Sequence, residues 1–223
     1  MLLQSMDAAL LTQAQCFFAG GTAIVLLNGE YRESVDIDFL CSSKTGYRTL
    51  RNIVSNRDLG GLFRLPPILL RDIRTDQYGI RTFLQSGDLK IKFEIVFEAR
   101  IELDGTLHPE LGVPVLSLVD QYASKLLANA DRYLDRSTCN RDIIDLAMLI
   151  RNHGPIPKAA WDKKRDAYGP SIDKAYAGAI KMISERSRLE ECARQLQLPD
   201  ALAMSIPSLL GSETVEPDPT DTD

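Results

Sequence analysis

Two histidines, one tryptophan and four cysteines among 223 residues exclude several common kinds of chemistry. His108 and His153 lie near Pro109 and Pro155 in expected loops, so they build neither a zinc cluster nor a Ser-His-Asp triad. Cys16, Cys41, Cys139 and Cys192 are far apart and form no CxxC pair, which reads as reduced thiols in a cytoplasmic protein. No run of 18 apolar residues occurs, so no membrane span is expected. The N-terminus has no basic n-region and opens with Gln4, Ser5 and Asp7 among scattered apolar residues, which argues against a secretory signal.

Basic residues are missing from one place in particular. From Gly211 onward the chain has five acids (Glu213, Glu216, Asp218, Asp221 and Asp223) and no Lys or Arg. The net charge of −5 therefore resides there, and residues 1–210 carry 26 charges of each sign. With Pro217 and Pro219 and almost nothing apolar, residues 211–223 are expected to form a disordered acidic tail. The 44% hydrophobic content of the whole chain is enough for a substantial core.

The densest signal is Gly20-Gly21-Thr22-Ala23 followed by Arg32-Glu33-Ser34-Val35-Asp36-Ile37-Asp38-Phe39. Val35, Ile37 and Phe39 alternate with Asp36 and Asp38, the period-2 pattern of a strand with one buried face. Both carboxylates leave such a strand on one side, about 7 Å apart, where they can share a hard divalent cation such as Mg²⁺. Upstream, Cys16-Phe17-Phe18-Ala19 reads as a short buried strand running into the Gly20-Gly21 turn, with a helix starting at Thr22. A turn without side chains at a helix N-terminus points backbone N–H groups at an anion. The Thr22 hydroxyl can add a hydrogen bond or cap the helix.

A third carboxylate comes from Asp88 to Phe97. Leu89, Ile91, Phe93, Ile95 and Phe97 take one face, and Lys90, Lys92, Glu94 and Val96 the other. Glu94 completes a three-acid cluster if this strand lies beside the one carrying Asp36 and Asp38. Lys92 would then sit near phosphates or balance the acids. Taken alone, this segment reads first as an ordinary amphipathic strand with a solvated cross-strand charge pair.

The Gly-Gly-Thr-Ala turn, Arg-x-Ser-x-Asp-Ile-Asp-Phe, Lys-Phe-Glu-Ile, and Lys125…Arg132…Arg141-Asp142-Ile143-Ile144-Asp145-Leu146 stand in an order that resembles the AbiEii/AbiGii family. Those are nucleotidyltransferase-like toxins of type IV toxin-antitoxin and phage-abortive systems, within the DNA polymerase beta superfamily. The resemblance runs from about Phe17 to Arg151 and departs from the family at Glu94, where Asp is common. It implies Asp36, Asp38 and Glu94 as catalytic residues and ligands of one or two Mg²⁺ ions. Gly20, Gly21, Thr22, Arg32, Ser34, Lys92 and Lys125 would contact the nucleotide. Arg141, Asp142 and Asp145 would hold their helix against the catalytic half.

The later motif also has a local logic. Leu116, Val119, Ala123, Leu126, Leu127 and Ala130 recur at helical spacing, which puts Lys125 on a helix with an apolar face. Ile143, Leu146, Ala147 and Ile150 define another, with Asp142 and Asp145 near its N-terminus. The expected fold class is α+β. Residues 1–114 form a nucleotidyltransferase-like mixed sheet with flanking helices, and residues 115–210 a helical half that completes the nucleotide cleft. In the first half, helices are expected at Ser5 to Gln15 and Tyr47 to Asn56, and strands at Ile68 to Arg74, Tyr78 to Gln85 and Leu89 to Phe97, the last two as a hairpin. Pro109, Gly112 and Pro114 punctuate the junction.

The resemblance further implies transfer of NMP from NTP to an RNA hydroxyl such as the tRNA 3′ end, with a separate antitoxin as partner. A protein or small-molecule acceptor of the aminoglycoside kind, a non-catalytic NTP-binding regulator, and an interaction protein with structural acids are the alternatives. Two basic sets are candidates for RNA contact. One is Trp161 to Tyr168 with Lys181, Arg186, Arg188 and Arg194, and the other is Arg48, Arg51, Arg57, Arg64, Arg71, Arg74 and Arg81.

Overall fold

The computed structural model describes residues 2–211, so the expected acidic tail lies, beyond Gly211, outside the described residues. Short apolar-alternating runs pair into one eight-stranded mixed sheet. Its strands are β1 (Cys16–Ala19), β2 (Ile37–Cys41), β3 (Ile68–Leu69), β4 (Arg74–Thr75), β5 (Gly79–Ser86), β6 (Leu89–Phe97), β7 (Gly105–His108) and β8 (Val113–Leu116). They lie in the order β3-β5-β6-β2-β1-β8-β7, with β4 also on β5. β2 runs parallel to β6 and β1 to β8, while β1 and β2 are antiparallel.

Three helices belong to the first half: α1 (Ala8–Gln13), α2 (Gly20–Leu27) and α3 (Lys44–Ile53). Six more follow the sheet: α4 (Leu118–Arg132), α5 (Arg141–His153), α6 (Lys158–Tyr168), α7 (Ser171–Ser184), α8 (Arg186–Leu196) and α9 (Asp200–Gly211). Ser43 accepts from the Gly46 amide and starts α3 ahead of the expected Tyr47. Asp7 likewise caps α1.

The expected β6 and its hairpin with β5 are present, turning at Gly87 with φ +59°, a conformation that costs glycine little. Other expectations are corrected. The strand expected from Ile68 to Arg74 is two short ones, each using part of the β5 edge. The punctuated stretch 105–116 forms the β7–β8 hairpin, because the buried run Val113–Leu116 keeps its pairing and Pro114 removes only its own donor. The boundary expected after residue 114 therefore falls inside β8, and Leu116, expected at the start of a helix, ends that strand. His108 ends β7 and His153 ends α5, rather than lying in loops.

The two faces of the sheet have different cover. Phe18, Ile37, Phe39, Phe93 and Ile95 pack with Leu11, Tyr47 and Leu50 of α1 and α3. On the opposite face Phe17, Ala19 and Leu116 join Ile24 and Val25 of α2 and the helical half, including Tyr122, Leu126, Ile143 and Leu146. No residue of β5 or β6 belongs to that second cluster. The helical half thus covers the β8–β1–β2 side and stops at the acids, leaving the β5–β6 surface open and polar.

Candidate active site

Asp38 and Glu94 are register partners on the parallel strands β2 and β6, so both leave the sheet on the open face. Asp36 lies in the segment leading into β2, because the strand begins only at Ile37. Val35 is correspondingly not on the buried side and is 42% exposed. Burial raises the Asp38 carboxyl above its usual range; Lys92 and Lys125 oppose the shift, while the charges of Asp36 and Glu94 add to it. Those groups are therefore near enough to act on one another's charge, although the Lys125 ammonium itself is bonded to Asp142 and Asp145. Among the described residues, neither the Asp36 nor the Asp38 carboxylate has a hydrogen bond or ion pair to a protein side chain.

Glu94 is placed differently. Arg81 of β5 donates to Oε1 at 2.5 Å, and Lys92 pairs with Oε2. Burial alone would raise this carboxyl, but the two cations outweigh burial and hold it below its ordinary range. The three acids consequently do not converge into a ready three-ligand set, and among the described residues no such group of His, Cys, Asp or Glu occurs. Lys92 balances the acids in this arrangement.

The Gly20-Gly21 turn opens α2 directly, two residues earlier than the Thr22 start expected, with Ala19 at the N-cap and no capping side chain. Gly20 has φ +74°, and a Cβ there would come within 2.6 Å of Asp38 Oδ2. A Cβ on Gly21 would strike the Arg32 guanidinium. Both glycines are thus needed to bring a bare helix N-terminus against the acid pair. Thr22 lies inside the helix rather than capping it, and its hydroxyl meets Ser34 Oγ at 2.7 Å, tying the turn to the segment before β2.

Arg32 and Lys125 are buried at 7% and 3% exposure. Arg32 makes a two-pronged bond to Asp145 at 2.8 and 2.9 Å. Lys125 reaches Asp145 at 2.6 Å and Asp142 at 3.0 Å, and Arg132 clamps Asp142 at 2.6 and 2.8 Å. The i, i+3 spacing of Asp142 and Asp145 puts both on one face of α5, against α4. Burial would raise both carboxyls, and Lys125 with the arginines holds them below the usual range. The network joins α5 to α4 and to the segment before β2. Arg141 has no ion pair among the described residues.

Two partners were not foreseen. Arg81 was one of a dispersed set of arginines, and its pairing with Glu94 depends on a register that spacing does not reveal. Tyr31, whose hydroxyl donates to Asp145 at 2.6 Å, carried no signal beyond lying next to Arg32. The helical basic set is divided, with Arg165, Lys181, Arg186 and Arg194 exposed and its aromatic residues engaged inside the fold. Trp161, Lys164 and Arg188 are buried, and Tyr168 is bonded to Asp131 and Arg100, so this run offers no stacking surface.

A bare helix N-terminus, a glycine cradle against an unpartnered half-buried carboxylate, and a second free carboxylate suit a hard divalent cation with phosphate oxygens. Asp36 and Asp38 fit that donor set; Glu94 fits only on release from Arg81 and Lys92. The class this defines is a phosphate-handling enzyme of mixed α and β structure.

The chain belongs to the AbiEii family: the model for the nucleotidyl transferase AbiEii toxin of the type IV toxin-antitoxin system matches residues 2–209. It is accordingly a nucleotidyltransferase. Solved structures similar to it include a proposed nucleotidyltransferase from Helicobacter pylori, 16% identical, covering 92% of this chain and 88% of that one, with a TM-score of 0.47. Another is JHP933 from Helicobacter pylori, 15% identical over 92% and 86% of the two chains, with a TM-score of 0.46. No curated protein matches the chain. No helix among the described residues is long and apolar enough to cross a membrane.

Proposed function

We propose that this nucleotidyltransferase moves NMP from NTP to a hydroxyl of RNA, such as the 3′ end of tRNA, using Mg²⁺, as the toxin partner of a separate antitoxin. The observation that carries the reading is the Asp38 carboxylate, half-buried, unpartnered, and touching the position where any side chain on Gly20 would lie. Burying an acid without a partner is costly, which makes sense where a ligand supplies the opposite charge. Asp36 and Asp38 would hold the cation, whose chemistry is charge stabilisation of the in-line displacement at the α-phosphate. The backbone amides of Gly20 to Thr22 would receive the outer phosphates. Glu94 would contribute as third acid on leaving its ion pairs, which frees Lys92 to meet phosphate. Lys125 would contribute its charge from behind, while its contacts keep α5 in place. Residues 1–114 would act as the catalytic unit, with residues 115–210 closing the cleft.

The test incubates the protein with each labelled NTP, Mg²⁺ and total tRNA, beside the Asp36→Ala/Asp38→Ala protein. Label in RNA that the double substitution abolishes is the expected result. Label in protein, or no label in any acceptor, overturns the RNA reading.

A further inference from the structure

The open face of the β5–β6 hairpin continues outward from the acids. The register places Arg81 opposite Glu94, Phe83 opposite Lys92, and Gln85 opposite Lys90, all on the side from which Asp38 projects. Asp38, Glu94 and Arg81 thus form one row across three strands. Phe83 and Lys92 form the next, about 7 Å along the strands.

Phe83 is the centre of a cationic cluster. The Arg71 guanidinium lies 5.0 Å and the Lys90 ammonium 4.3 Å from its ring centroid. Among the described residues neither Arg71 nor Lys90 makes an ion pair, and both are exposed. Glu94 is the one acid on this face of the hairpin, and Lys92 and Arg81 already answer it. Asp72, Asp76 and Asp88 lie in the connections flanking this face, and Asp76 pairs with Arg81 at 3.2 Å. An aromatic ring ringed by uncompensated cations, continuous with the site, is complementary to a polyanion with flat bases, the chemistry of single-stranded nucleic acid.

We propose that this face is the acceptor track: the single-stranded end of an RNA stacks a base on Phe83 and places phosphates on Arg71 and Lys90, so that its terminal hydroxyl arrives beside Asp38. This rests on the RNA reading above and extends it to a binding surface outside the nucleotide cleft. A base that takes the place of one cation on the ring preserves the π contact and releases that cation to a phosphate.

The test measures anisotropy of a fluorescein-labelled single-stranded RNA on the full chain without NTP, over a series of salt concentrations. The Arg71→Gln/Lys90→Gln protein is expected to bind at least about 10-fold more weakly at low salt. Its log K against log salt slope should be shallower by about 1.4, the loss of two single-strand phosphate contacts. Phe83→Leu, which keeps apolar bulk, should weaken binding by about 5- to 150-fold with little change of slope. Lys158→Gln, a change at the exposed start of α6 and outside both basic sets, serves as the comparison and should bind like the parent. Affinity and slope that ignore the Arg71, Lys90 and Phe83 changes, or a parent protein that does not bind the RNA, overturn the track. The RNA reading fails separately: label that reaches RNA while these substitutions have no effect leaves that reading intact, and substitution-sensitive binding without label transfer supports the track alone.

Discussion

Asp38 is a residue whose burial works against the fold. Its folded carboxyl titrates above the unfolded one, so the charge imposes its full cost above the folded pKa, and the cost fades as pH falls toward the unfolded value near 4. Asp38→Asn removes that charge. The variant should be more stable at pH 7 by about 0.5 to 2 kcal/mol, a Tm gain of roughly 2 to 4 °C per kcal/mol for a chain of this length. The gap should close as the pH approaches 4. Mg²⁺ should raise the Tm of the parent and leave the variant almost unmoved, since only a state that binds the ion gains by linkage. A variant less stable than its parent at pH 7 would show that the carboxylate is satisfied in the fold. At this scale the sequence was informative where period 2 applies: the alternation around Ile37 and Phe39 put Asp38 on the open side, and that from Leu89 to Phe97 did the same for Glu94. It put Asp36 inside the strand, which begins one residue later at Ile37, and it held no signal for the pairings of Arg81 and Tyr31, whose partners are chosen by register and tertiary approach.

Between elements, the decisive joint is Asp145, which receives Arg32 from the segment before β2, Lys125 from α4 and the Tyr31 hydroxyl. Three donors around one fully buried carboxylate offset its desolvation. With its carboxyl below the usual range, the joint contributes from about pH 4 upward and is lost only as pH falls further. Asp145→Asn leaves Arg32 and Lys125 buried near each other with the shared counter-charge gone. The expected loss is about 3 to 5 kcal/mol, or about 10 °C in Tm, measured by thermal denaturation at pH 7. Asp142→Asn should cost less, because Arg132 is 36% exposed and can turn to water. Equal losses would mean that the two acids act as one unit. The helical pattern made α4 and α5 readable and put Asp142 and Asp145 on a shared face. Which cations they meet depends on how α5 packs across the chain, more than 100 residues from Arg32.

At the level of the whole molecule, the two halves are joined through one apolar cluster. Phe17, Ile24, Val25 and Tyr31 of the first half are buried only together with residues of α4, α5 and the later helices. The change of pattern near Pro114 suggested a division there, yet β8 completes the sheet and α4 follows it after a single residue, Ser117. A chain ending at Ser117 would expose those four side chains, a loss of roughly 1.5 to 3 kcal/mol each, or about 6 to 12 in all. That equals the net stability of a typical domain, and Arg32 would also lose its counter-ion. Residues 1–117 expressed alone are therefore expected to melt without a cooperative transition by circular dichroism, whereas residues 1–211 should melt in one sharp step. A sharp transition for the shorter chain would show that the α1 and α3 side of the sheet, with Phe18, Phe39 and Phe93 at its centre, holds the fold by itself. The helical half would then be a separable cover over the nucleotide site.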